Sequence, residues 1–251
     1  MQRQSGAESG RRLLSLLFAF TPEHPIRSVA ELAADADVPV SSVYRYISLL
    51  RDEGILDVAG PGSYRLTDRL IGLAEASRAG RAPLIEIGSP LMEALAEAID
   101  ETVLIVRRSG FQAYCIDRVE STRPVRLQFN RGQAMALHAG SAARILLAHM
   151  PAKDREEYLA TLPPDLLERS GDLLSPAGLE KIVKDTWTES FEEVDEGIWG
   201  TAAGIFAGGE LVASISTAAP IFRADAKRRR DIIRQVREAA DGISRELAQR
   251  H

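Results

Sequence analysis

Four residues in one short stretch, Ser41, Ser42, Tyr44 and Arg45, have the chemistry to grip a nucleic-acid backbone and read a base edge. Serine and tyrosine hydroxyls reach phosphate oxygens, and a guanidinium pairs with phosphate or, bidentately, with guanine. Val40, Val43, Ile47 and Leu50 recur through the same stretch at the spacing of a helix with one apolar stripe. On that helix Ser41, Arg45, Ser48 and Asp52 fall on the opposite face, with Tyr44 on its flank. Arg65 follows a Gly60-Pro61-Gly62 turn and offers a further phosphate contact. A blander reading leaves Ser41 as a helix cap and both arginines as solvated charges.

Other reactive side chains lack the neighbours that chemistry requires. His138 has no second histidine at ligand spacing and reads as a structural imidazole. Ser141 sits in Ala139-Gly140-Ser141-Ala142-Ala143, without the flanking glycines of a nucleophile elbow. Small residues opening a helix leave N–H groups that suit a carboxylate. Glu192, Glu193, Asp195 and Glu196 read as a solvated turn, and Cys115 as a buried core thiol. The basic run 227–230 reads as a solvated face or a source of inter-subunit ion pairs. No catalytic residue, metal or cofactor is assigned.

Composition narrows the classes further. A chain of 251 residues, 45% hydrophobic and 27% charged, fits two globular domains. It has no apolar run of the ~18 residues that a membrane span needs, and its first residues do not resemble a secretory signal. A single cysteine argues against a disulfide framework, and the expected compartment is the cytoplasm, with no membrane partner. The net charge of −5, with arginines but no lysine in the first eighty residues, denies the chain a general attraction for DNA. Affinity must then come from placed arginines and from dimerisation.

The elements that must position these residues are legible by period. Leu13, Leu14, Leu17 and Phe18 mark a helix over 10–20, and Ser28 with Glu31 forms a capping-box signature before the next. The helix at Val40 follows, then strands over 55–58 and 64–67 around the glycine-proline turn. A winged helix-turn-helix domain therefore spans residues 1–67. A linker helix and hinge span 68–83, broken by Ala79-Gly80-Arg81-Ala82-Pro83. Residues 84–251 alternate helices (84–100, 141–149, 153–161, a helix opened by Ser175-Pro176, and 223–249) with strands (102–106, 112–119, 125–129, 193–206, 210–217). That pattern predicts an α+β domain with a mostly antiparallel sheet.

Taken together, Leu32 to Leu56 with Tyr64-Arg65-Leu66-Thr67 resembles the N-terminal domain of IclR-family transcriptional regulators. Glu101-Thr102-Val103, Leu137-His138-Ala139 and Ser214-Ile215-Ser216 before Ala219-Pro220 are similar to the family's sensor-domain motifs in the same order. The resemblance implies a winged helix-turn-helix joined to a GAF-like effector-binding domain, assembled as a homodimer or homotetramer on double-stranded operator DNA. The implied function is ligand-responsive regulation, as a repressor of a catabolic operon controlled by a small organic acid. Two rival readings stay open: an enzyme with a fused DNA-binding domain, and an architectural DNA-binding protein without an effector. The implied pocket uses Ser141, Ser216 and nearby N–H groups for an anionic or polar end. Leu127, Met135 and Ala218 would pack an apolar body, with Ala142 and Gly200 completing the site. Val40 stands where many members carry a basic residue, Gly200 where the family often has cysteine, and Ala218 in place of a common pocket hydroxyl. The lost bulk at Gly200 and Ala218 favours an aromatic acid over a two- or three-carbon keto acid. Both tryptophans, Trp187 and Trp199, lie in this half of the chain, with Trp199 next to Gly200, so intrinsic fluorescence is expected to report binding.

Overall fold

The structure, a computed structural model, describes residues 3–80 and 82–250. They form two compact units, Met1–Arg81 and Ala82–His251. Arg81, inside the expected hinge, lies outside the described residues.

The first unit runs α1 (Arg3–Phe18), β1 (Ile26–Ser28), α2 (Val29–Asp35), α3 (Val40–Asp52), β2 (Leu56–Gly60), β3 (Ser63–Leu66) and α4 (Arg69–Ala79). Ser28 caps α2 as its sequence requires: the Glu31 N–H donates to Ser28 Oγ at 3.3 Å and the Ser28 N–H to Glu31 Oε2 at 2.7 Å. Asp37, at φ 49°, turns the chain from α2 into α3. Strand β1 was not expected; it pairs antiparallel with β3, giving a sheet of order β1-β3-β2. Leu16, Leu32, Val43, Tyr46, Ile47, Leu50 and Leu56 form the core. Val40 does not join them and is 48% exposed, with Tyr46 taking the inward position instead. The face centred on Val43, Tyr46, Ile47 and Leu50 lies about 70° around the helix from Val40 at ~100° per residue. Helix α4 buries no residue, and its Ile71 and Leu73 face solvent.

The second unit opens with α5 (Ala82–Ile99), β4 (Val103–Ser109), β5 (Gln112–Val119), β6 (Ala134–Ala136) and α6 (Ser141–Ala148). It continues through α7 (Ala152–Ala160), α8 (Pro164–Ser170), α9 (Pro176–Asp185), β7 (Trp187–Phe191), β8 (Ile198–Ala207), β9 (Glu210–Pro220) and α10 (Ala226–Gln249). The strands form one antiparallel sheet of order β6-β5-β4-β9-β8-β7. Side chains alternate across it. Val103, Ile105 and Trp199 join α5 and α10 in one core, while Leu104, Val106 and Ala202 join α6 and α9 in the other.

Several expected boundaries move. Residues 125–129 are not a strand; the sheet edge there is β6. The expected strand from Glu193 begins at Ile198, because residues 193–197 form a turn, and β7 and α8 were not anticipated. Helix α5 starts before Pro83, which sits in its first turn, where the missing proline N–H has no intrahelical partner to lose. Ser175 caps α9, accepting the Gly178 N–H at 3.0 Å.

Candidate functional site

Helix α3 presents a polar face outward. Ser41, Tyr44 and Arg45 are exposed and Ser42 half-buried, as their positions around the helix dictate. The Arg45 guanidinium lies 5.4 Å from the centroid of the Tyr46 ring. A cation–π contact of this kind holds the long side chain near the helix surface without neutralising it. Arg65, on β3, is tied differently. Its Nη2 sits 3.2 Å from Asp57 Oδ2 on β2, and both side chains are more than half exposed. That contact depresses the Asp57 pKa, after the larger effect of the Val58 N–H that the carboxylate accepts. The contact uses one Arg65 nitrogen, so the other guanidinium N–H groups stay open to a phosphate.

The second unit holds a cavity of about 410 Å³ between the start of α6, the ends of β8 and β9, and the segments around Leu127 and Met135. Leu127, Met135, Ser141, Ala142, Gly200, Ser216 and Ala218 all line it. The sheet explains how distant residues meet. Ser216 and Ala218 share a face of β9 at a spacing of two, and Gly200 pairs with Ala218 across the ladder. A Cβ on Gly200 would stand 3.0 Å from Ser190 Oγ and 3.2 Å from Ser141 Oγ. Glycine there keeps both hydroxyls clear. Trp199, the preceding residue, points to the opposite face and is buried against the α5 and α10 side. It therefore does not line the cavity itself.

Two lining groups, Glu193 and Asp195, belong to the run that the sequence presents only as a solvated turn. Glu193 reaches back from the β7–β8 turn to the start of α6, where its Oε2 accepts the Gly140 N–H at 3.0 Å and pairs with Arg144 Nη1. Gly140 makes this possible, since its φ of 81° suits glycine, and a Cβ there would press on Val194 at 3.3 Å. Arg144 is 1% exposed and Glu193 13%. Arg144 Nη2 donates to Glu189 O at 2.6 Å and to Thr188 Oγ1 at 3.1 Å, and its Nε has no partner. The neighbouring Glu192 secures the turn itself, its Oε1 accepting the Gly197 N–H at 2.8 Å.

Two family models match this chain: the IclR helix-turn-helix domain over residues 11–59 and the bacterial transcriptional regulator IclR C-terminal domain over residues 76–245. The chain belongs to the IclR family of bacterial transcriptional regulators. It is 29% identical to the HTH-type transcriptional regulator KipR of Bacillus subtilis strain 168, covering 89% of this chain and 90% of that one. It is 26% identical to the transcriptional repressor IclR of Escherichia coli K12, covering 86% and 81%. In fold it is similar to an IclR homologue from Microbacterium hydrocarbonoxydans complexed with 4-hydroxybenzoate, with a TM-score of 0.74, 23% identity, and coverage of 96% and 99%.

Within this IclR-family framework the remaining singled-out residues have structural partners. His138 does not line the cavity; its Nδ1 lies 2.8 Å from the Tyr158 hydroxyl, and burial lowers its pKa below 6.5. Cys115 is buried, with its pKa pushed up to about 11 chiefly by that burial. The basic run is partly used within the chain. Arg228 joins Arg223 on the buried Glu101, and Arg229 stacks on Phe191. Among the described residues, no group of three or more His, Cys, Asp or Glu side chains is arranged to hold a metal ion, and no helix is long and apolar enough to cross a membrane.

Proposed function

We propose that this IclR-family chain binds a two-fold operator as a homodimer or homotetramer and represses a catabolic operon until a small organic effector fills the cavity. The observation that carries this reading is the pairing in one chain of an outward polar α3 face with a separate cavity of about 410 Å³. Ser41, Ser42, Tyr44 and Arg45 contact the DNA, and Arg65 supports them from the wing. The repressor assignment draws on the name of the Escherichia coli relative. Dimerisation is supported by Ile71 and Leu73, 56% and 64% exposed on a helix that buries nothing within its own chain. A volume of this size and an apolar lining of Leu127, Phe129 and Met135 suit a single-ring effector. 4-Hydroxybenzoate, bound by the Microbacterium homologue, is of that size. In this reading the effector leaves unchanged.

Replacing Arg45 with alanine tests the reading head. Fluorescence anisotropy at fixed salt, on a duplex selected by the protein from a random library, is expected to show a loss of about 1–3 kcal/mol if Arg45 reads a base. Unchanged affinity would remove Arg45 from the contact set.

A further inference from the structure

The sequence leads one to expect an acid in this cavity, yet its charged lining consists of two carboxylates, Glu193 and Asp195, with no lysine, arginine or histidine. The N-cap N–H of α6, that of Gly140, already donates to Glu193 at 3.0 Å, so a carboxylate of the protein itself stands next to the first-turn N–H groups of Ser141, Ala142 and Ala143. The cation that could have paired with an acid, Arg144, stands behind Glu193. It is 1% exposed, does not line the cavity, and spends both terminal nitrogens on Glu193, Thr188 and Glu189. The ion pair therefore turns its negative end toward the ligand space. A carboxylate entering there would lose water, meet a like charge and find no counterion, which low dielectric makes costly.

The polar groups that are free have a different character. The Ser141 and Ser216 hydroxyls line the cavity in residues only 4% and 3% exposed, and neither side chain has a hydrogen-bond partner within the protein. A hydroxyl that faces the cavity, donating and accepting, is satisfied by a neutral polar group without any balance of charge. Gly200, lacking a Cβ between Ser141 and Ser190, leaves that approach open.

We propose that the cavity takes an uncharged, largely apolar molecule bearing one hydroxyl, carbonyl or amide group, and rejects the matching carboxylate. The inference rests on the ligand-responsive reading above and refines it. Calorimetric titration of the full chain with benzamide, benzyl alcohol and benzoate, near neutral pH, tests it. One of the neutral probes is expected to bind at least about tenfold more tightly than benzoate. Equal affinities, or preference for benzoate, would overturn the inference while leaving ligand response intact. Failure of all three to bind would overturn both.

Glu193→Gln keeps an acceptor for the Gly140 N–H, removes the facing charge and leaves Arg144 uncompensated. It is expected to shift the neutral-to-acid affinity ratio toward benzoate by about tenfold or more. Should that variant fail to fold, Asp195→Asn at the exposed mouth is expected to shift the ratio the same way by a smaller factor. A ratio that either folded variant leaves unmoved contradicts the proposal.

Discussion

Truncating Glu193 to alanine puts the buried ion pair to a quantitative test. The variant strands the Arg144 guanidinium, which is 1% exposed and keeps only Thr188 Oγ1 and Glu189 O as acceptors. Its Nε has no partner already, and the Gly140 N–H loses its acceptor as well. Breaking a buried pair from one side costs about 3–5 kcal/mol in general, because an uncompensated charge remains. Glu193 retains 13% exposure, which lets some water in, so the lower end of that range, about 3 kcal/mol, is expected here. Both tryptophans, Trp187 and Trp199, lie in the second unit, so urea unfolding followed by their fluorescence reports that unit without separating it from the first. Trp199 is fully buried with its Nε1 donating to Glu189 Oε2 at 3.0 Å, and its emission is expected to move to longer wavelength on unfolding. The double variant Arg144→Met with Glu193→Gln removes both charges and is expected to recover to within about 1 kcal/mol of the natural chain. A loss below about 1 kcal/mol for the alanine variant alone would mean that the pair is solvated, and would remove the basis for its orienting role.

Three further outcomes follow from the same geometry. Burial lowers the His138 pKa, so the unfolded chain takes up that proton first as pH falls below 6.5, and this contribution to stability is lost with falling pH. Melting temperatures from about pH 7.5 to about 5.5 are expected to fall less steeply in His138→Gln; an unaltered slope would refute the assignment. Cys115, with its pKa pushed up to about 11, is expected to resist a thiol reagent at about pH 8 in the native protein and to react fully in denaturant. Rapid native labelling would show that the thiol is reachable. Gly200→Ala places a methyl 3.0 to 3.4 Å from Ser190, Ser141 and Thr217, and is expected to weaken the best neutral ligand by about 1–3 kcal/mol in calorimetry. An unaffected affinity would place the ligand elsewhere.

How much of this was visible in the residues varies with the range of the interaction. The capping box at Ser28 and Glu31, the α3 period and the serine cap at Ser175 are local devices, and local devices are written in adjacent letters. All seven residues assigned to the effector pocket by resemblance line one cavity, because ordered motifs carry a shared sheet register that no short window contains. Glu193 was missed because its partner Arg144 is 49 residues away in sequence, and four clustered carboxylates look alike until one of them turns inward. Trp199 adjoins Gly200 in sequence yet faces the other side of the sheet, because neighbours on a strand face opposite sides. Spacing alone points Val40 inward, whereas the inward face is centred further around α3.

Coupling between cavity and reading head is the central claim, and one titration addresses it directly. The full chain is bound to its selected operator duplex at fixed salt, and whichever probe raises its melting temperature most is added while anisotropy is followed. The expected result is a change in the DNA dissociation constant of about tenfold, within the 1–3 kcal/mol typical of allosteric coupling, with the probe recovered unchanged. An identical DNA affinity at saturating probe would contradict ligand-responsive regulation, and consumption of the probe would show an enzyme instead.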